Sequence, residues 1–219
     1  ILKSLSIIGL IALFSCNNSD DSVNTQPVPS PISLAAEVEI YNEDLIHNNL
    51  VLVVENSGET AYIINKEGEK LFTWVFEDLL GNDFELLSDG NAIGIFKTDN
   101  PSFNFGGYGG IVKIIEPNGT IVWEFEYSSS TYLSHHDVEM LPNGNVLILA
   151  WELINTDTSV ENGADTDHEL YPEKLIEVNP NTDEIVWEWR SWDHIVQEFD
   201  DSKLNYGIIA DNPQRININ

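Results

Sequence analysis

From about residue 37 the chain runs in short apolar stretches rich in Val, Ile, Phe and Trp, broken by Gly, Asn, Asp and Pro. Runs of this length between turn-forming residues predict β-strands. No segment shows a convincing helical period, so an all-β chain is expected. Three stretches line up: Ile64-Asn65-Lys66-Glu67-Gly68 running to Trp74, Ile115-Glu116-Pro117-Asn118-Gly119 to Trp123, and Val178-Asn179-Pro180-Asn181-Thr182 to Trp187. Each reads as strand, tight polar turn, then a strand carrying tryptophan, which is an antiparallel hairpin. A second element repeats as well. Leu87-Ser88-Asp89-Gly90-Asn91 leads into an apolar strand, and Leu141-Pro142-Asn143-Gly144-Asn145 leads into another.

The tryptophans are 49 and 64 residues apart. Four strands per repeat at about 40–50 residues is the signature of a β-propeller, with insertions lengthening single blades. A large ring near the end of a strand fills the wedge between blades, and burying one contributes about 3 kcal/mol or more. The tryptophans are therefore expected in the core. The longer second interval holds an acidic stretch between Trp151 and Lys174. Its Asp157, Glu161, Asp165 and Asp167 are acidic enough to suggest calcium, but their spacing does not fit an EF-hand loop, and a solvated loop is expected. Only about three blades fit in residues 37–219, whereas a propeller closes with about 4–8, so the chain reads as part of a longer protein.

Charge narrows the function classes. With 37 Asp and Glu against 9 Lys and Arg, the formal net charge is −28, a field that repels nucleic-acid backbones. The hydrophobic content of 42% separates it from disordered acidic chains. One cysteine leaves no intramolecular disulfide and no structural zinc cluster. That cysteine, Cys16, follows Lys3 and an apolar run of about ten residues, too short for the ~20-residue span a bilayer needs but right for a signal-peptide core. The segment resembles a bacterial lipoprotein signal with Cys16 as the lipidated residue. An ordinary secretory signal with an incidental cysteine is the alternative. The expected organisation is a signal peptide at 1–16, a Pro/Ser-rich flexible tether at 17–36, and propeller from 37 to 219. The resemblance implies a lipid-anchored protein of the bacterial cell envelope.

Five histidines are present: His47, His135, His136, His168 and His194. His47 and His168 sit in polar surroundings and are expected at the surface. The distinctive site is Ser134-His135-His136-Asp137. Two adjacent histidines starting a strand project to opposite faces, so one can enter a central channel while the other packs elsewhere. Asp137 is placed to orient an imidazole. The aromatic residues are expected almost entirely in the core, with Tyr108 and Tyr132 as candidates to line such a channel. The glycine run 106–110 lacks the Lys-Ser/Thr of a phosphate-binding loop.

His135-His136-Asp137 followed by Leu141-Pro142-Asn143-Gly144-Asn145, together with the Gly-to-Trp hairpins, resembles the bacterial arylsulfate sulfotransferases. Trp189-Arg190-Ser191-Trp192-Asp193-His194 with Asn205-Tyr206-Gly207 is similar to their lipoprotein branch. The resemblance covers most of residues 37–219. It implies a six-bladed propeller and transfer of a sulfuryl group from a phenolic sulfate ester to a phenol. No cofactor and no nucleotide donor take part. A histidine is the transient nucleophile, giving sulfohistidine and ping-pong kinetics. His136 matches a channel histidine that assists binding and proton transfer, with His135 the next candidate and Asp137 beside them. The nucleophilic histidine, a His-x-Asn element and the active-site arginine belong to later blades, outside this chain, so the chain alone is expected to be inactive. His194 carries no implied catalytic role, and Arg215 is not promoted to fill the arginine's place. Two other classes stay open. A quinoprotein-like or scaffold propeller explains the hairpins but not the His-His-Asp site. A calcium-using surface binding protein would employ the acidic insert.

Overall fold

The structure, a computed structural model, describes residues 35–218. Cys16, the signal segment and most of the tether lie outside the described residues. Strands dominate, as the periodicity predicts. They are β1 (Val51–Val54), β2 (Thr60–Ile64), β3 (Lys70–Val75), β4 (Leu80–Leu86), β5 (Ala92–Lys97), β6 (Gly110–Ile115), β7 (Ile121–Glu126), β8 (Tyr132–Met140), β9 (Val146–Glu152), β10 (Glu173–Asn179) and β11 (Glu184–Arg190). They form three antiparallel meanders in sequence order: β1-β2-β3, β4-β5-β6-β7 and β8-β9-β10-β11. A short parallel pair follows, β12 (Ile195–Val196) with β13 (Ile216–Asn217). The three Gly-to-Trp hairpins are β2-β3, β6-β7 and β10-β11. The second repeated element joins β4 to β5 and β8 to β9. The two larger sheets are thus built alike. The first has no counterpart of β4 or β8, so the expected four strands are three there among the described residues.

The sheets stack face to face like propeller blades, and they do not close a ring among the described residues. The period-2 alternation of a strand sends successive side chains to opposite faces. In β5, Ala92 and Phe96 face the first sheet and pack with Ala61, Trp74, Leu80 and Phe84. Ile93 and Ile95 face the third sheet and join Val138, Val146, Ile148, Ala150, Ile176 and Val178. The middle sheet is therefore buried on both sides, which is why β5 reads as an unbroken apolar run rather than an alternating one. Between the first two sheets the Lys113 ammonium is enclosed. It bonds Asp78 at 2.5 Å and Glu124 at 3.2 Å, above the Phe96 ring. Burial pulls its pKa down, but the two carboxylates outweigh that and the net shift is upward.

The tryptophans divide. Trp74 is 4% exposed, between the first and second sheets. Trp123 packs on the cluster between the second and third sheets, and its Nε1–H donates to Asp183 at 2.8 Å. Trp187 is 47% exposed on the free face of the third sheet, so the core position expected for all three holds for Trp74, in part for the half-buried Trp123, and not for Trp187. The acidic stretch is also more ordered than a plain loop. It contains a helix, α1 (Thr156–Glu161), whose start Asn155 caps by accepting the Thr158 N–H at 2.9 Å. Six residues are too few to register as a helical period in the sequence. Among the described residues, no three His, Cys, Asp or Glu side chains gather in a metal-holding arrangement.

Candidate active site on the first strands

The first strands of the two complete sheets, β4 and β8, lie against each other. Each carries the same irregularity. In β8, Ser134 pairs with Ala150 and Val138 with Ile148, so three residues, His135, His136 and Asp137, stand opposite one. In β4, Leu80 pairs with Phe96 and Phe84 with Gly94, so Gly81, Asn82 and Asp83 stand opposite one. Bulges of this kind bend a strand and re-aim its side chains. The histidines thus sit in the middle of a strand rather than at its start. His136 takes the left-handed conformation with φ 55°, uncommon for a residue with a side chain. The neighbouring loop holds it there: the His136 N–H donates to Gly107 O at 3.0 Å and the Gly109 N–H to Ser134 O at 3.0 Å. Gly107, itself at φ +82°, lies directly against the His136 ring, and a Cβ there would overlap ring atoms Cε1 and Nε2.

The two imidazoles have opposite surroundings. His135 is 1% exposed and stacks on Trp151, with centroids 3.7 Å apart and planes 11° from parallel. Its Nε2 is 2.7 Å from Glu173 Oε2, and its Nδ1 is 2.7 Å from His136 Nδ1. His136 is exposed. One histidine is buried and one exposed, but the bulge and the left-handed His136 keep them from the opposite faces expected of a regular strand, and their rings remain bonded to each other.

The carboxylate that reaches an imidazole is Glu173, not Asp137. Asp137 is exposed and lies within hydrogen-bonding reach of Asp83. Asp83 in turn accepts the Val138 N–H at 3.1 Å, tying the first strand of one sheet to the bulge of the next. Burial pushes the Asp83 carboxyl up, the Val138 and Phe84 amides pull it partly back, and Asp137 adds to the rise by charge and hydrogen bonding. Glu85 is also raised, by burial first and then by the charges of Glu139, Asp83 and Asp137. The two first strands therefore present a carboxyl-rich surface, on which Asp83 and Glu85 hold a proton more readily than isolated carboxylates do.

Tyr108 lies at this site. It bridges to His135 through the backbone, and Lys97 Nζ sits 4.7 Å from its ring. Tyr132 does not: it stacks on Tyr127 at 4.1 Å and packs against the core. His47 and His168 are exposed, with His168 paired to Asp167. His194 stacks on Trp189 at 5.1 Å, a packing role. Arg215 donates to the Ile195 carbonyl at 3.0 Å.

Two residues of the site are absent from the sequence reading. Glu173 stands 38 positions from His135, and only the β9-β10 pairing brings it near. Asp83 was within reach of the repeat. Extending the alignment of Leu87-Ser88-Asp89-Gly90-Asn91 with Leu141-Pro142-Asn143-Gly144-Asn145 backwards places Asp83 on Asp137 and Glu85 on Glu139.

Chemically, the site offers one outward imidazole, backed by a buried imidazole and a carboxylate, beside a group of carboxyl side chains. That is equipment for moving a proton at a surface.

A solved protein of unknown function from Bacteroides caccae is 17% identical, with a TM-score of 0.42, over 64% of this chain. The alignment spans 40% of that protein's length. No curated protein matches. The family model for arylsulfotransferase (ASST) matches residues 83–216, from the bulge of β4 to β13. That match takes in more than half of the chain, all of β8 and β4 from Asp83 onward, and the chain belongs to the arylsulfotransferase family.

Proposed function

We propose that the protein transfers a sulfuryl group from a phenolic sulfate ester to a phenolic acceptor, without a nucleotide donor, and that this chain supplies the proton-handling part of the site. The observation that carries the reading is His136, an exposed imidazole aimed outward from a bulge and bonded from behind by His135. In the first half-reaction the donor's S–O bond breaks as a bond forms from sulfur to a nucleophilic histidine of another blade. The departing phenolate takes a proton from His136. In the second half-reaction the acceptor phenol passes its proton to His136 as its oxygen attacks sulfur, and the S–N bond breaks. His135 and Asp137 are assigned supporting roles, and Tyr108 stands where an aromatic ring would meet the site.

The electrostatics favour this division of labour. Asp83, Glu85, Asp137 and Glu139 make the first strands negative, a poor cradle for sulfuryl oxygens, which call for cations and N–H donors. Those donors are assigned to other blades, so the 219-residue chain by itself is expected to show no turnover. We also propose a lipid anchor at Cys16 and a place in the bacterial cell envelope, supported by Lys3, the apolar run and the lone cysteine. Labelled fatty acid incorporated by the wild type and not by Cys16→Ser is the check.

The catalytic test is nitrophenolate release from 4-nitrophenyl sulfate by the intact protein, with and without added phenol. Release that rises with phenol and falls by about 10²–10⁴ in His136→Ala supports the reading. No release across a panel of phenols points instead to a binding or scaffold propeller.

A further inference from the structure

The bonded chain from Glu173 through His135 to His136 has a direction. A carboxylate only accepts, so Glu173 Oε2, at 2.7 Å, requires the hydrogen of His135 on Nε2. A neutral imidazole with its hydrogen on Nε2 has a lone pair on Nδ1. That lone pair faces His136 Nδ1 at 2.7 Å, and two nitrogens at this distance need one hydrogen between them. The hydrogen must then belong to His136 Nδ1, which leaves the lone pair of His136 on Nε2, at the outer edge of the pair. Isolated imidazole side chains favour the opposite tautomer, with hydrogen on Nε2.

We propose that Glu173 is a positioning residue that acts through His135 to hold His136 in the Nδ1–H form, so that Nε2 stands ready as the base for a phenolic proton. The inference rests on the proposed transfer for its purpose, but not for its geometry. It also accounts for the buried histidine. When Nε2 of His136 accepts a proton, its Nδ1 hydrogen can pass 2.7 Å to His135 Nδ1. His136 is then neutral with hydrogen on Nε2, and the positive charge rests on His135. There it lies between the Glu173 carboxylate and the face of Trp151, 3.7 Å away. Return of that proton restores His136 as an acid toward a departing phenolate. One proton enters and one charge appears at each stage, and no other reactant is needed.

The test is the ring-nitrogen spectrum of the full chain carrying ¹⁵N-histidine, recorded where both imidazoles are neutral. Expected are a protonated Nε2 with a bare Nδ1 for His135, and a protonated Nδ1 with a bare Nε2 for His136. Hydrogen on His136 Nε2 in the wild type overturns the proposal without any variant. In Glu173→Ala the ordering is expected to relax, with His136 moving to the Nε2–H form; an unchanged His136 overturns it. In the intact protein, Glu173→Ala is expected to lower kcat roughly 10–100-fold while KM for the phenol moves little. A kcat that does not move, with the tautomers as expected, overturns the positioning role. A wild type that transfers no sulfuryl group overturns the functional reading alone, and the tautomers still decide the relay.

Discussion

The bulges of β4 and β8 occupy equivalent places in equivalent sheets, and they are put to different use. In β4 the three extra-register residues are Gly81, Asn82 and Asp83; in β8 they are His135, His136 and Asp137. Gly81 has no room for a side chain, since a Cβ would meet Ile95 Cγ2 at 2.7 Å and its carbonyl oxygen at 3.0 Å. His135, in the matching place, finds the flat face of Trp151. Asn82 accepts a hydrogen bond from Asn56 at 2.6 Å and serves the contact with the first sheet, whereas His136 turns into the left-handed region and faces out. Asp83 is tied to the next sheet, while Asp137 is exposed. The same backbone device therefore fastens sheets together in one strand and presents imidazoles in the next. A bulge supplies an aimed position, and the residues packed beneath decide what is aimed.

The largest effect expected from breaking this comparison is at Gly107. Gly107→Ala places a methyl group where the His136 ring lies, at a positive φ. The ring must shift, and a displacement of about 1 Å costs about 10² in rate. Nitrophenolate release by the variant, beside its melting curve, separates loss of aim from loss of fold. Next in size is the contrast between the aspartates. Asp83→Ala leaves the buried Val138 N–H without its acceptor, a cost of about 1–3 kcal/mol, and Asp83→Asn recovers much of it. Asp137→Ala, at the exposed counterpart, stays within about 0.5 kcal/mol. Urea denaturation of the three variants checks this, and equal losses at both positions would show the two bulges to be energetically alike.

The smallest effect is a pH dependence. Glu85 has its carboxyl raised above the ordinary value of 4.5 in the fold. A raised carboxyl stabilises the folded state below the unfolded value, and that contribution is lost as pH rises through the folded value. Glu85→Gln, which keeps the shape without the charge, is therefore expected to melt higher than the wild type at pH 7. The gap closes as the pH falls below about 4.5. A gap that widens toward acid would mean the carboxyl is depressed instead.

The hairpins were legible because tight turns and tryptophans are written locally, in Pro117-Asn118-Gly119 and its relatives. Their stacking was read from the spacing of the tryptophan repeat, and the apolar run of β5, covered on both faces, agrees with it. The pair His135 and His136 was also legible, as two adjacent imidazoles with no obvious structural need. What was not legible depends on register. The bulge cannot be read from one strand, because it is a mismatch between the five residues 134–138 and the three residues 148–150 opposite. Glu173 enters only through sheet pairing, so the nearer Asp137 drew the role in its place. Trp187 looked like Trp74 because the hairpins match, and exposure depends on what stands beyond the sheet.

The meander order of the sheets bears on how the chain is made. Every paired strand of the three sheets is hydrogen-bonded to its neighbours in sequence, mostly across short turns, with the 152–173 segment the longest detour. Closing short loops costs little chain entropy, and pairings between sequence neighbours form quickly for a β protein. Each sheet can therefore assemble while the next is still being synthesised. Ties such as Asp83 to Val138, 55 residues apart, form later, as finished sheets dock. On this schedule the His135–His136 site is among the last parts to form, since it needs the first strands of two sheets and a carboxylate from β10.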